Sequence, residues 1–118
     1  MFAAIGTRPD ISFAVNQLAQ FSRNPSEAHW NEVKQIFAYL KETSDFGITY
    51  HSNTEAIFTA YADADYAGNV DDRKSTSGAI LSMNGSSVAW VCKRQRCVSL
   101  STTEAQYVAA CTAAKEIV

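Results

Sequence analysis

No apolar run in this 118-residue sequence exceeds about five residues, Ile36–Leu40 being one of them, against the ~20 needed to cross a bilayer. A membrane-spanning helix is excluded. Neither charge sign dominates: 10 Lys and Arg stand against 12 Asp and Glu, a formal net charge of -2, so there is no global positive field of the kind that draws nucleic acids. Any nucleic-acid contact has to be local. The opening MFAAIGTRPD has no basic segment followed by an apolar one, so it does not read as a secretory signal. Cysteine is scarce. Cys92, Cys97 and Cys111 form no CxxC pair and have no histidine close by in sequence, which favours ordinary reduced thiols over a disulfide or a zinc site. A phosphate-cradling GxxxxGK[ST] loop is missing as well. The hydroxyl-rich STTEAQY lacks the glycines of a nucleophile elbow, and both histidines, His29 and His51, lie far upstream. A Ser-His-Asp triad is therefore not expected.

What is present is 47% hydrophobic and 11% aromatic residues, enough for one small core and too much for a disordered linker. In the first half, Ile11, Ala14, Val15, Leu18 and Phe21 recur at helical spacing, and Thr7 with Asp10 three residues on has the form of a capping box. Pro9 falls in the first turn, where its missing N–H costs no hydrogen bond, and this helix should end near Ser22. Asn24-Pro25-Ser26-Glu27 reads as a second start: a cap residue, proline at the first helical position, and a carboxylate three residues after the cap. Trp30, Val33, Ile36, Phe37 and Leu40 form the apolar stripe of the helix that follows. Gly47 ends it, and Ile48-Thr49-Tyr50 has the composition of a short strand.

The polar stretch His51–Glu55 is the best boundary in the chain, and beyond it the hydrophobic period changes from helical to two. Ala56–Asp63 reads as a strand. Ala79–Met83 and Ser86–Cys92 flank Asn84-Gly85, which tolerates the positive φ angles of a type I′ turn, so they form a hairpin. Val98–Leu100 is expected to continue the third strand. Ser101–Val118 is expected as a final helix with Ala105, Val108 and Cys111 or Thr112 on one face. The class is α+β: two N-terminal helices and a short strand, then an antiparallel three-stranded sheet with one helix.

Three groups of residues could carry chemistry. Asp63 and Asp65 in YADADYAG lie at a strand end, where alternate positions project to one side. Two carboxylates so placed suit a hard cation such as Mg2+, and they equally suit a solvated strand–loop junction. A calcium loop starting at Asp63 fails, because its fifth position is Ala67 and its twelfth is Lys74. Glu104 follows Ser101 by three residues, a capping-box spacing; if Ser99 is the cap instead, Glu104 falls in the second turn and is free to face the strands. Finally, Lys93, Arg94 and Arg96, with Arg73 and Lys74, make two basic clusters. They could hold phosphates, or simply charge an edge strand against aggregation.

Taken in order, TRPDISFAV, HWNEVKQIFAYLK, YADADYAG, DDRKSTSG and LSTTEAQYVA resemble the Pol polyprotein of copia-type long-terminal-repeat retrotransposons, over nearly the whole chain. The resemblance implies that residues 1–52 belong to the thumb or connection end of a reverse transcriptase and residues 53–118 to the N-terminal half of a ribonuclease H-like domain. It implies a parent that cuts the RNA strand of an RNA-DNA hybrid with two Mg2+ ions, with Asp63 and Glu104 as catalytic metal ligands and Asp65 in support. A metal pair can activate a water and stabilise the leaving oxygen, which needs several convergent carboxylates. Lys93, Arg94, Arg96, Arg73 and Lys74 become candidates for the hybrid's phosphates. The remaining partners implied are the rest of the polyprotein, with no membrane, and family analogy suggests cytoplasmic virus-like particles with a later nuclear stage.

Two departures from the family pattern are Tyr66, where tryptophan is usual, and Gln106, where a second glutamate is common; neither alters the expected pair. The family's third carboxylate stands in a C-D-N-type motif on a fourth strand, whereas this sequence reaches only Val118. The expectation is a half-fold with an uncovered sheet edge that binds Mg2+ poorly and has no nuclease activity alone. A non-catalytic relic, or a nucleic-acid-binding or structural module, is the competing reading.

Overall fold

A computed structural model describes residues 1–52 and 56–117, which divide into two compact units, Met1–Ile48 and Thr49–Val118. The expected boundary after residue 52 borders Asn53–Glu55, which lie outside the described residues.

The first unit is helical. It contains α1 (Phe2–Gly6), a 3-10 turn (Pro9–Ile11), α2 (Ser12–Ala19) and α3 (Glu27–Glu42). Helix α1 is not expected from the sequence, because its five residues show no period of their own. The expected Thr7–Asp10 capping box does not form. Arg8 caps the 3-10 turn without a side-chain bond, and Asp10 instead receives hydrogen bonds from Arg8 Nε at 3.0 Å and from the Tyr39 hydroxyl at 2.9 Å. Arg8 also donates to the Thr43 carbonyl at 3.1 Å, so one guanidinium ties the 3-10 turn to the end of α3. The second cap lies two residues later than expected. Ser26 caps α3 by accepting from the His29 amide, and His29 Nδ1 accepts from the Ser26 amide at 3.1 Å, a capping box with imidazole in the usual place of a carboxylate. Pro25 thus precedes the helix instead of opening it.

The second unit is a three-stranded antiparallel sheet, in the order β1 (Phe58–Asp65), β2 (Thr76–Met83), β3 (Ser86–Arg94), with α4 (Thr102–Ile117) packed on β1 and β2. With these elements the described chain is α+β. The hairpin forms as expected: Met83 pairs with Ser86, and Asn84 and Gly85 take φ of 52° and 80°. Asn84 also accepts from the Ile57 amide at 3.0 Å through its side chain, joining the hairpin tip to the lead-in of β1.

Strand limits differ from the expectation because pairing is reciprocal. β2 begins at Thr76, not Ala79, and its extra residues pair with Asp63, Ala64 and Asp65 on one side and with Cys92, Lys93 and Arg94 on the other. Both aspartates therefore lie within β1. Val98–Leu100 does not continue β3, and Ile48–Tyr50 is not a strand. At the first place the chain turns at Gln95, and at the second only single groups engage: the Tyr50 hydroxyl donates to the Ser87 carbonyl at 2.8 Å, and Ser86 Oγ to the Thr49 carbonyl.

The buried face of α4 is Ala105, Ala109 and Ala113, spaced four apart, while Val108, Cys111 and Thr112 are half-buried. The inward face is thus made of the smallest side chains rather than the largest. Small residues let a helix backbone sit close to a sheet, which suits the neighbouring buried Ala79, Ser75 and Ser77.

Candidate functional site

The end of β1 meets the first turns of α4 through Asp63 and Gln106. Asp63 pairs across the sheet with Gly78, and its side chain is exposed. Its Oδ1 accepts two hydrogen bonds, from Gln106 Nε2 at 2.7 Å and from the Ala64 amide at 2.8 Å. Those donors, the Gln106 amide first, hold the Asp63 carboxyl below the ordinary aspartate range. Asp65, two residues on, ends the strand. Its carboxylate lies against the backbone of Gly68, where any added Cβ would collide with it, so the glycine of YADADYAG provides the space this side chain occupies.

Glu104 makes its contacts elsewhere. Its amide donates to Ser101 Oγ at 3.1 Å, and its Oε2 accepts from the Leu100 amide at 2.7 Å. Ser101 is therefore the cap, and Glu104 accepts from the backbone N–H of the residue before that cap. Ser99, the other possible cap, is buried and donates to Gln95 Oε1 at 3.0 Å. The α4 side chain that reaches Asp63 is Gln106, which the motif comparison marks only as a departure. The signal that could have found it is its offset: two residues past Glu104 rotates a helical position by more than half a turn.

Donors, not further oxygen ligands, meet the Asp63 Oδ1 in this arrangement. Magnesium takes oxygen ligands in near-octahedral geometry, whereas the Asp63 oxygen meets an N–H donor and Glu104 is engaged at the helix end. Among the described residues, no three His, Cys, Asp or Glu side chains are grouped so as to hold a metal ion.

The basic residues separate into two kinds. Asp72 forms ion pairs with Arg94 and, at 3.6 Å, with Lys74, and its Oδ1 accepts from the Lys74 amide at 3.2 Å. Asp72 is held below the usual carboxylate range, chiefly by Arg94. These contacts brace the loop between β1 and β2, in which Asn69 Oδ1 accepts from the Asp71 and Asp72 amides and Ser75 Oγ accepts from the Ala67 amide. Ala67 and Arg73 both take positive φ, 51° and 56°, so this loop needs its side-chain bonds to offset unfavourable backbone angles. Much of DDRKSTSG is therefore explained by loop architecture. Arg73, Lys93 and Arg96 are exposed and remain the better placed of the five to meet a phosphate.

No protein-family model matches the chain, and no solved structure does. Several curated proteins do. The chain is 42% identical, over all 118 of its residues, to the retrovirus-related Pol polyprotein from transposon TNT 1-94 of Nicotiana tabacum, of which it spans 9%. It is 44% identical over 101 residues to the Pol polyprotein from transposon RE1 of Arabidopsis thaliana, covering 86% of this chain and 7% of that one. It is also 41% identical over 118 residues to secreted RxLR effector protein 161 of Plasmopara viticola, all of this chain against 83% of that protein. The chain thus corresponds to under a tenth of the polyproteins it matches and to most of one short relative. Among the described residues no helix is long and apolar enough to cross a membrane. Over its whole length the chain is therefore similar to a short segment of retrovirus-related transposon Pol polyproteins.

Proposed function

We propose that this segment joins the end of a copia-type reverse transcriptase, residues 1–52, to the opening half of its ribonuclease H domain, residues 53–118, and that the chain itself is non-catalytic. The order of motifs supports the first statement. An antiparallel β1-β2-β3 sheet with α4 laid across it, and an aspartate of β1 facing α4, is the arrangement such a half-domain requires. The complete parent would hydrolyse the RNA strand of an RNA-DNA hybrid with Mg2+. Asp63 would be a ligand there, with Asp65 beside it and a carboxylate of α4, Glu104 by resemblance, as the second. Cytoplasmic particles, with a nuclear stage, are the setting this reading implies.

The observation that carries the second statement is the pair of contacts at the site: Asp63 is bonded by an amide and Glu104 by its own helix. What the chain supplies is then a scaffold, with Arg73, Lys93 and Arg96 exposed to meet the phosphates of a hybrid. The Plasmopara viticola relative, 83% of which this chain spans, is named a secreted effector, which favours a second reading of the fold as a non-catalytic module. Incubating the purified chain with a labelled hybrid and Mg2+ should release no product. Metal-dependent cleavage that Asp63→Asn abolishes would overturn the non-catalytic reading. Parent activity is tested by fusing the chain to the stretch that follows the matched segment in the tobacco polyprotein. Hybrid cleavage that disappears on Asp63→Asn supports it, and no cleavage with either glutamine or glutamate at position 106 sinks it.

A further inference from the structure

We infer that Gln106, and not Glu104, is the α4 residue that engages Asp63 in this chain, and that its side-chain amide disfavours divalent-cation binding there. The inference uses the proposed function only in taking a divalent cation as the ligand at issue. Its basis is the contact itself.

An ionised carboxylate only accepts hydrogen bonds, so the amide of Gln106 must turn its NH2 and not its oxygen toward Asp63. The 2.7 Å bond to Oδ1 is that arrangement. A second donor, the Ala64 amide, already uses the same oxygen. Two N–H groups therefore converge on the Asp63 oxygen that faces α4, so a cation bridging Asp63 and this helix would have to displace the Gln106 NH2. Gln106 itself is exposed, so no packing forces it onto Asp63; the hydrogen bond does.

Replacing that NH2 by oxygen reverses the electrostatics. With glutamate at position 106, two carboxylates would face one another at the end of β1, a repulsion that a shared proton or a cation between them relieves. One side-chain atom then decides whether the end of β1 is self-satisfied or favours a cation. Glu104 has no part in this, because the Leu100 amide and the Ser101 cap engage it at the helix end.

Calorimetric titration of the purified chain with Mn2+ alone tests the proposal. The wild type should give no saturable binding, while Gln106→Glu should bind at least about tenfold more tightly, since affinity for hard cations follows ligand charge. Adding Asp63→Asn to Gln106→Glu should remove that binding, and adding Glu104→Gln should leave it. The proposal is overturned if the wild type binds as tightly as Gln106→Glu, if Gln106→Glu brings no tighter binding, or if Glu104→Gln abolishes it. A second readout needs no new carboxylate: the side-chain amide resonances of Gln106 should shift on Asp63→Ala and stay in place on Glu104→Gln, and the reverse pattern would also overturn it. Neither measurement involves cleavage, so a failure here is distinct from a failure of the ribonuclease H reading.

Discussion

Gln95 Nε2 donates to Ser77 Oγ at 2.9 Å, both residues being buried, and the same amide donates to the Ala105 carbonyl at 2.9 Å. One side chain thus links the residue after β3 to β2 and to the first turns of α4, while its Oε1 accepts from Ser99. Replacing it with alanine leaves buried partners without their bonds, and each such orphan costs about 1–3 kcal/mol. We expect Gln95→Ala to lower the urea midpoint of the sheet unit with an unchanged denaturant slope. A destabilisation under about 0.5 kcal/mol, the range of ordinary surface changes, would contradict this role.

Helix α3 starts at Ser26, two residues after the asparagine that the sequence pattern favours. Ser26→Ala should cost about 1 kcal/mol, typical of a missing cap, and should speed amide exchange in the first turn of α3. Asn24→Ala should do neither. If Asn24→Ala proves the costlier change, Asn24 and not Ser26 is the cap.

Asp10 supplies a pH dependence with a definite sign. Arg8 hydrogen bonding depresses its carboxyl below the ordinary aspartate value, with the Tyr39 hydroxyl adding to the effect and partial burial opposing it. A depressed folded-state value means that the unfolded chain binds the proton more tightly, so the contribution is present above the unfolded value and disappears as pH falls through the folded one. Being a partly exposed ion pair, it is worth at most about 1 kcal/mol. Stability should therefore decline more steeply below about pH 4, near the unfolded aspartate value, in the wild type than in Arg8→Met. Identical acid limbs in the two proteins would show that Asp10 contributes nothing to acid stability.

Hybrid binding, if carried by Arg73, Lys93 and Arg96, should be electrostatic. Replacing all three by serine should flatten the dependence of log affinity on log salt by about one unit for each phosphate no longer engaged. Arg94→Ala should act differently, disturbing the loop that Asp72 braces before it changes the slope. An unchanged slope in the triple variant would place the phosphate-binding residues elsewhere.

Much of this molecule is written locally. The Asn84-Gly85 turn, the helical period of Trp30 to Leu40 and the switch to period two after the polar break are short-range patterns, and each leads to the element found. The Ser101–Glu104 spacing is legible too, though with an alternative, because a capping box uses only residues three apart. Where structure departs from sequence pattern, a partner distant in the chain is decisive. β1 and β2 extend one another to Asp65 and Thr76, β3 stops where Gln95 turns inward to Ser77 and Ala105, and Asp10 serves Arg8 and Tyr39 instead of capping.

The candidate site shows the same division. Sequence alone determined that acidic residues would gather at the end of a strand followed by a hairpin and a helix, because composition and period specify elements and their order. It could not determine which residue of α4 meets Asp63, since Gln106 lies 43 positions along the chain, with Glu104 two residues before it, and the two differ in the direction they leave the helix. Packing of the Ala105, Ala109 and Ala113 face against the sheet sets the rotation of α4, which puts Gln106 within hydrogen-bond reach of the carboxylate while Glu104 lies at the helix end.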